Sequence, residues 1–305
     1  MGEQRVAIVG YGEVGRIFGA GIAAAGTGVS AYDILITDDR WAQPARERAA
    51  RDDIALHDDL RSAVAEANLV ICAVTAASAA TAAREIAAAC TRGALVLDVN
   101  SASPRCKGEG AKGVNAAGGR YVEAAVMTSV PPYGMRVPML LGGPHAAHAL
   151  PTLERLGFAA TLGSPEYGIV SAVKLCRSVM IKGMEALAIE SLLAARRYGV
   201  EREVLASLAE TFPGLDWERQ ASYFWQRVVQ HGKRRAEEMR EAAMTVDDAG
   251  FEGRMATATA DVQQWIATLA ASGAFTSTRT DAGWRELADA VPAGQAKPNK
   301  SNALS

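Results

Sequence analysis

The chain has 305 residues, 49% of them hydrophobic, which is enough for about two domains with a sizeable core. Its 32 Lys+Arg against 34 Asp+Glu leave a net charge of -2, without the basic excess that nucleic acid or an anionic membrane surface demands. No apolar stretch approaches the ~18–20 residues of a membrane helix, and Met1-Gly2-Glu3-Gln4-Arg5 runs directly into a strand, so a cytoplasmic protein without a signal peptide is expected.

The first predicted strand is Val6-Ala7-Ile8-Val9. Gly10-Tyr11-Gly12-Glu13-Val14-Gly15 follows it and opens an Ala-rich helix over 13–25. A GxGxxG pattern is weak alone; between a strand and a helix it reads as a dinucleotide-binding turn rather than a chance glycine cluster. Gly10 permits the tight turn, Gly12 lets backbone approach a pyrophosphate, and Gly15 lets helix and strand pack closely. The helix N-terminus turns its free N–H groups to the phosphates. Gly10, Tyr11, Gly12, Glu13 and Val14 are therefore candidate cofactor residues. Asp33 ends the second predicted strand, Val29–Asp33, 23 residues after Gly10. A carboxylate there accepts hydrogen bonds from an adenosine ribose and repels a 2′-phosphate, so NAD is expected. Arg40 nearby leaves NADP open as the alternative.

Helices predicted over 59–67 and 78–91 alternate with two further apolar runs, Leu69–Val74 and Ala94–Val99. Apart from Asp98 these runs are apolar at successive residues rather than alternating, as parallel strands buried on both faces are. Tyr121–Val126, Met139–Leu141 and Phe158–Leu162 are candidate further strands. The alternation predicts an α/β protein whose residues 1–165 form a Rossmann domain with a doubly wound parallel sheet. Past Gly163-Ser164-Pro165 no strand is expected. Ile169, Val173, Cys176, Met180, Met184 and Leu187 recur at three- and four-residue steps and predict one buried face of a long helix over 168–197. That helix opens an all-α C-terminal domain over 166–290. Shorter helices follow at 201–211, 216–229, 231–249, 252–272 and 281–289, punctuated by Pro213-Gly214 and Gly250. Residues 291–305 are polar and without period, and read as a disordered tail.

Lys174 is the residue whose chemistry stands out. It shares a face of the long helix with Ser171, Ser178 and Lys182. It lies early in that helix, near the expected domain junction, where clefts form. In a partly buried cleft beside a nicotinamide cation an ammonium is destabilised. The neutral amine could then take a hydroxyl proton as hydride leaves the carbinol carbon. Residue chemistry alone weighs this equally with a solvated lysine on an amphipathic helix.

The remaining candidates read blandly. Cys72, Cys90, Cys106 and Cys176 form no CxxC pair, and reduced thiols are expected, with Cys72 and Cys176 as core residues. His145 and His148 have no acidic or thiol partner nearby, so no metal is expected. Trp217, Tyr223, Phe224 and Trp225 read as core of the helical domain. Arg234, Arg235 and Arg240, with Glu237, Glu238 and Glu241, read as a solvated ion-paired face. Arg136 is a loop candidate for gripping a carboxylate.

With these pieces assembled, the chain resembles the β-hydroxyacid dehydrogenase superfamily, which includes 3-hydroxyisobutyrate and 6-phosphogluconate dehydrogenases. The likeness covers nearly everything but the tail. The glycine turn resembles the family's first motif, and Gly168–Lys174 resembles its catalytic helix, which implies Lys174 as the general acid/base. Tyr121–Thr128 resembles the segment that usually reads D-A-P-V-S-G and holds the substrate carboxylate, which implies Met127 and Thr128 as substrate residues. Leu97–Ser101 looks like the segment under nicotinamide and substrate, which implies Asn100 on the cofactor and Ser101 on the substrate. Val74-Thr75 resembles the loop near the adenosine, and His231-Gly232-Lys233 the segment that lends Lys233 to the cofactor. The sequence departs from the family at three points: Met127 replaces its serine, Ser178 replaces an asparagine in the substrate site, and Arg234 replaces an aspartate. The stretch Val130–Pro138 is unlike the hydroxyisobutyrate enzymes. Lys174–Gly183 and Thr211–Trp217 look like a subgroup whose C-terminal domain is similar to phosphogluconate dehydrogenase and of unknown function.

The resemblance implies a nicotinamide-dependent oxidoreductase acting on a small hydroxy acid, and a homodimer. Two other readings stay open: an imine or oxo-acid reductase on the same scaffold, which the presence of Lys174 disfavours, and a dinucleotide-binding regulatory protein without turnover.

Overall fold

The structure is a computed structural model that describes residues 4–279 and 281–292. Its first unit alternates strands and helices: β1 Arg5–Val9, α1 Glu13–Ala24, β2 Gly28–Tyr32, α2 Asp39–Arg51, β3 Ile54–Leu56, α3 Leu60–Val64, β4 Leu69–Cys72, α4 Ala79–Ala89 and β5 Leu95–Asp98. It continues with α5 Pro104–Ala116, β6 Arg120–Val126, β7 Met139–Gly142, α6 Ala146–Arg155 and β8 Ala160–Ser164. Eight strands form one sheet in the order β3-β2-β1-β4-β5-β6-β7-β8. All neighbours are parallel except β6 and β7, which pair antiparallel with Val126 opposite Met139. The sheet is thus doubly wound but not parallel throughout. The single change of direction comes where a loop, not a crossover helix, joins two strands.

Alternate residues of each central strand bury on opposite faces. Val6, Ile8, Leu69 and Ile71 pack with Phe18 and Ile22 of α1, Ala45 of α2 and Leu153 of α6. Ala7, Val9, Val70 and Cys72 pack with Val64 of α3, Ile86 of α4 and Val114 of α5. This two-sided burial is why the strands read as unbroken apolar runs. Four elements carried too weak a pattern for that reading: α2, β3, α5 and α6. The first of them is short of apolar residues, β3 has three, and α5 is interrupted by Gly108, Gly110 and Gly113.

The rest is helical: α7 Ile169–Tyr198, α8 Glu201–Thr211, α9 Trp217–Asp248, α10 Arg254–Ala271 and α11 Trp284–Asp289. Where two helices are expected over 216–249 there is one of 32 residues: Gly232, beside the expected break, stays helical and packs close against Gln263 of the following helix. The chain divides into two compact units, Ser178–Ala243 with the described residues from Arg254 onward forming the second and Met244–Gly253 belonging to the first. The sequence expectation set the boundary at 165/166; the units divide inside α7, after Arg177, since that helix runs on unbroken. The expected tail from 291 lies outside the described residues beyond Pro292. In the second unit Ile189, Leu192, Trp225, Val228, Ile266, Leu269 and Trp284 form the core. Phe224 and Trp225 are buried as expected, while Tyr223 is exposed.

The buried face of α7 is not the one the apolar spacing predicts. Ile169, Val173, Cys176, Met180 and Leu187 are exposed, Met180 to 66%. Ser171, Ser178, Lys182 and Glu185 are buried instead, with Val170, Leu175, Ile189 and Leu192. Lys182 pairs with Glu238 and Arg235 with Glu185, so Arg235 is buried rather than on a solvated face. Burial pushes the Lys182 ammonium down and the Glu185 carboxyl up.

Candidate active site

The glycine turn is built as its sequence predicts. Gly10 has φ +95° and its N–H donates to Tyr32 O at 2.8 Å. A Cβ there would collide with the Ala73 carbonyl, and one on Gly15 with the Gly10 carbonyl. Around Gly12 a Cβ would meet nothing within 4 Å among the described residues. Gly12 is the N-cap of α1, and the helix opens without a side-chain cap hydrogen bond, an arrangement that suits an anion at a helix N-terminus. Glu13 and Val14 form the first turn beyond it.

Asp33 stands at the end of β2. Its Oδ2 accepts from Tyr11 N at 2.7 Å and its Oδ1 from Leu35 N at 3.0 Å. The carboxylate therefore ties the glycine turn to β2, and keeps further lone pairs for a ribose. Ile34 and Leu35, next along, are exposed, and Arg40 is paired with Asp38 at 3.0 Å. The loops after β4 and β5 are joined in the same manner: Asn100 Oδ1 accepts from Val74 N at 2.7 Å, and Asn100 Nδ2 donates to Cys72 Sγ at 3.2 Å. Asn100 is thus engaged within the protein through both side-chain atoms. Thr75 Oγ1 donates to Ser78 Oγ at 3.2 Å and is exposed.

Lys174 and Ser101 come together. Lys174 Nζ donates to Ser101 Oγ at 2.7 Å, across 73 positions of sequence. Both side chains are half-buried. The helix that carries the lysine is anchored one turn earlier by Glu123 of β6. This fully buried carboxylate accepts from Gly168 N at 2.6 Å and Ser171 N at 3.2 Å, and so caps the start of α7. Gly142 leaves the space: a Cβ there would lie 2.7 Å from Glu123 Cγ. Burial pushes the Glu123 carboxyl up, and the two N–H donors offset this only in part. Sequence reading passed over Glu123 as a functional residue, although a lone acid inside an otherwise apolar strand was a signal.

Beyond β6, Met127 is half-buried and donates its N–H to Pro138 O at 3.0 Å, while Thr128 is exposed. Arg136 is exposed on a short helical turn beside Met135, whose side chain lies against Gly21 of α1. In the second unit, Ser178 is buried on α7 and Lys233 is exposed on α9. His148 lies 2.6 Å from Arg120 Nη1. Among the described residues no group of His, Cys, Asp or Glu is placed to hold a metal, and no helix is long and apolar enough to cross a membrane.

Comparison with known proteins places this arrangement. Residues 5–102 match a family described as NADP oxidoreductase, coenzyme F420-dependent, and residues 195–266 match a domain family of unknown function, DUF1932. A conserved hypothetical protein of Sinorhizobium meliloti 1021 is 34% identical, with 95% of this chain and 96% of that one covered at a TM-score of 0.73. A conserved protein of unknown function, described as structurally similar to 3-hydroxyacid dehydrogenases, is 27% identical, with 88% and 99% covered at a TM-score of 0.66. The chain belongs to the β-hydroxyacid dehydrogenase superfamily. In fold, this superfamily member is also similar to the 3-hydroxyisobutyrate dehydrogenase of Mycobacterium tuberculosis, at 18% identity over 94% and 99% of the two chains and a TM-score of 0.69. No curated protein sequence matches it. The glycine turn, Asp33 and the Val74–Asn100 tie all lie within the residues that match the oxidoreductase family.

Proposed function

We propose that the protein is a nicotinamide-dependent dehydrogenase of a small hydroxy acid, with Lys174 as its general acid/base. The observation that carries this reading is the Lys174 Nζ–Ser101 Oγ hydrogen bond of 2.7 Å. It aims the amine at the segment after β5, in the unit that holds the glycine turn. The dinucleotide, when bound, accepts or returns the hydride. Lys174 as a neutral amine takes the proton of the substrate hydroxyl during oxidation, and as ammonium returns it to the carbonyl oxygen during reduction. Ser101 accepts from Nζ and so fixes where the amine stands. The exposed Thr128 and half-buried Met127, at the end of β6, are proposed to meet the rest of the substrate, together with Ser178. An imine substrate is disfavoured because a lysine occupies the acid/base position.

NAD is the proposed cofactor, with NADP as the alternative. The support is Asp33 at the end of β2, with no cation between it and Thr37. The matched family's description names NADP, so the preference is decided by measurement. Lys233 is proposed to serve the cofactor, as the family resemblance implies.

The test is a screen of hydroxy acids that follows the absorbance of reduced nicotinamide, repeated with Lys174→Met. That substitution keeps the stem's bulk and removes the amine. Turnover is expected to fall at least about a hundredfold, the usual worth of positioned proton transfer, with dinucleotide binding unchanged. Near-normal turnover in Lys174→Met would show that the proton is handled elsewhere. Tight dinucleotide binding with no turnover across a broad panel would favour a regulatory protein.

A further inference from the structure

The end of β5 breaks the apolar rule of a buried strand. Asp98 is 3% exposed, and its carboxylate takes three donors. Oδ1 accepts from Lys107 Nζ at 2.8 Å and from Asn100 N at 2.9 Å, and Oδ2 accepts from Tyr121 OH at 2.6 Å. Lys107 Nζ also donates to the Asp98 backbone carbonyl at 3.0 Å. Lys107 is wholly buried in the first turn of α5, on the face that buries Gly110, Ala111 and Val114. Burial, with the Asp98 charge next, pushes the Tyr121 phenol well up, so it remains a proton donor. A buried ion pair is weak grounds for stability, since apolar residues of like volume often serve as well or better. The pair is better explained by what it holds.

The Asp98 Oδ1 to Asn100 N bond closes a turn of the Asx type, and the next residue is Ser101. Lys107 grips both the side chain and the main chain of the residue that starts this turn. Asn100, inside it, is tied to the β4 loop at Val74. The one hydroxyl this turn presents is the one on which Lys174 Nζ rests. Misplacement of a reacting group by about 1 Å can cost two orders of magnitude in rate, so a rigid turn here matters more to turnover than to folding.

We propose that Lys107 is a positioning residue. Its buried ammonium clamps the Asp98–Asn100 turn and thereby fixes Ser101 against Lys174. The inference rests on Lys174 being the acid/base.

Removing the ammonium alone strands a buried carboxylate, so the main variant is Lys107→Met/Asp98→Asn. There the pair is neutral, and the Asn oxygen can still accept from Asn100 N. This variant is expected to fold and to bind dinucleotide within about threefold of the native chain, while kcat falls at least about tenfold and KM for the hydroxy acid changes little, as expected for lost orientation. The limb of the pH profile that reports Lys174 is expected to move to lower pH, because the Ser101 acceptor favours the ammonium form. Ser101→Ala should move the limb the same way. Adding the Lys107 and Asp98 changes to Ser101→Ala should cost nothing further, since they act through that hydroxyl. Native kcat and an unmoved limb in the neutral-pair variant would overturn the inference, as would its failure to fold or full additivity with Ser101→Ala. Lys174→Met, measured alongside, separates the two ideas. Normal turnover there removes the acid/base reading itself, whereas an inactive Lys174→Met beside a fully active neutral-pair variant removes only the role of Lys107.

Discussion

Single side chains in the first unit do two jobs at once. Asp33 holds Tyr11 N and Leu35 N, so it shapes the glycine turn as well as facing the proposed ribose site. Asp33→Ser is therefore expected to weaken NAD relative to NADP by about tenfold or more in kcat/KM, since a hydrogen bond to a charged group is worth ~1.5–3 kcal/mol. A higher native kcat/KM with NADP than with NAD would show that the carboxylate serves only the turn. Cys72 is another such side chain. Burial holds its thiol up, to about 12, so it accepts from Asn100 as an inert part of the packing and is no nucleophile.

Elements in this protein are positioned by buried polar atoms at their ends. The helix α7 begins on Glu123, and its second turn carries Lys174. The cap has a pH signature. A carboxyl whose folded pKa is raised favours the folded chain most below its unfolded value and loses that contribution as pH rises through the folded value. Glu123→Gln removes this titration. The unfolding free energy of the native chain minus that of Glu123→Gln is expected to fall as pH rises from about 4, the ordinary carboxylate range, toward neutrality. A difference that stays level across this interval would show that Glu123 titrates as a solvated acid does. The glycines around the cap follow from the same crowding: Gly168, at φ +87°, has no room for a Cβ beside Pro104.

At the scale of the molecule, the exposed stripe of α7 is the feature that asks for a partner. Val173, Met180, Ile181 and Leu187 are each at least 41% exposed on one helix. Apolar surface of this continuity usually marks an interface, and a second copy of the chain is the proposed occupant. Light scattering at micromolar concentration is expected to return twice the chain mass. Met180→Glu, at the centre of the stripe, is expected to return the single chain with its fold unchanged. A native chain that already scatters as a monomer would reject the dimer.

Much of this was legible in the chain itself. Successive apolar residues marked β1, β4 and β5, because strands covered on both faces need no polar side. The glycine turn marked its own geometry, because only residues without a Cβ fit against Ala73 and Gly10. The lysine of α7 stood out from its neighbours by type and place. Other features were decided by tertiary structure. Three- and four-residue spacing showed that α7 has two kinds of face, but not that packing would bury Ser171, Ser178, Lys182 and Glu185 and leave Val173 and Met180 outside. Period reports contrast between faces, and neighbours decide which face is covered. Likewise Asp98, Lys107, Tyr121 and Glu123 lie scattered over 26 positions, and nothing local couples them. They meet because parallel β5 and β6 set Asp98 opposite Glu123, and α5 returns over the sheet to bring Lys107 down onto Asp98. The sequence by itself determined the scaffold and the candidate lysine. The contact of that lysine with Ser101, and the buried charges beneath it, exist only once the sheet has formed, because hydrogen bonds between residues distant in sequence depend on strand order and not on spacing.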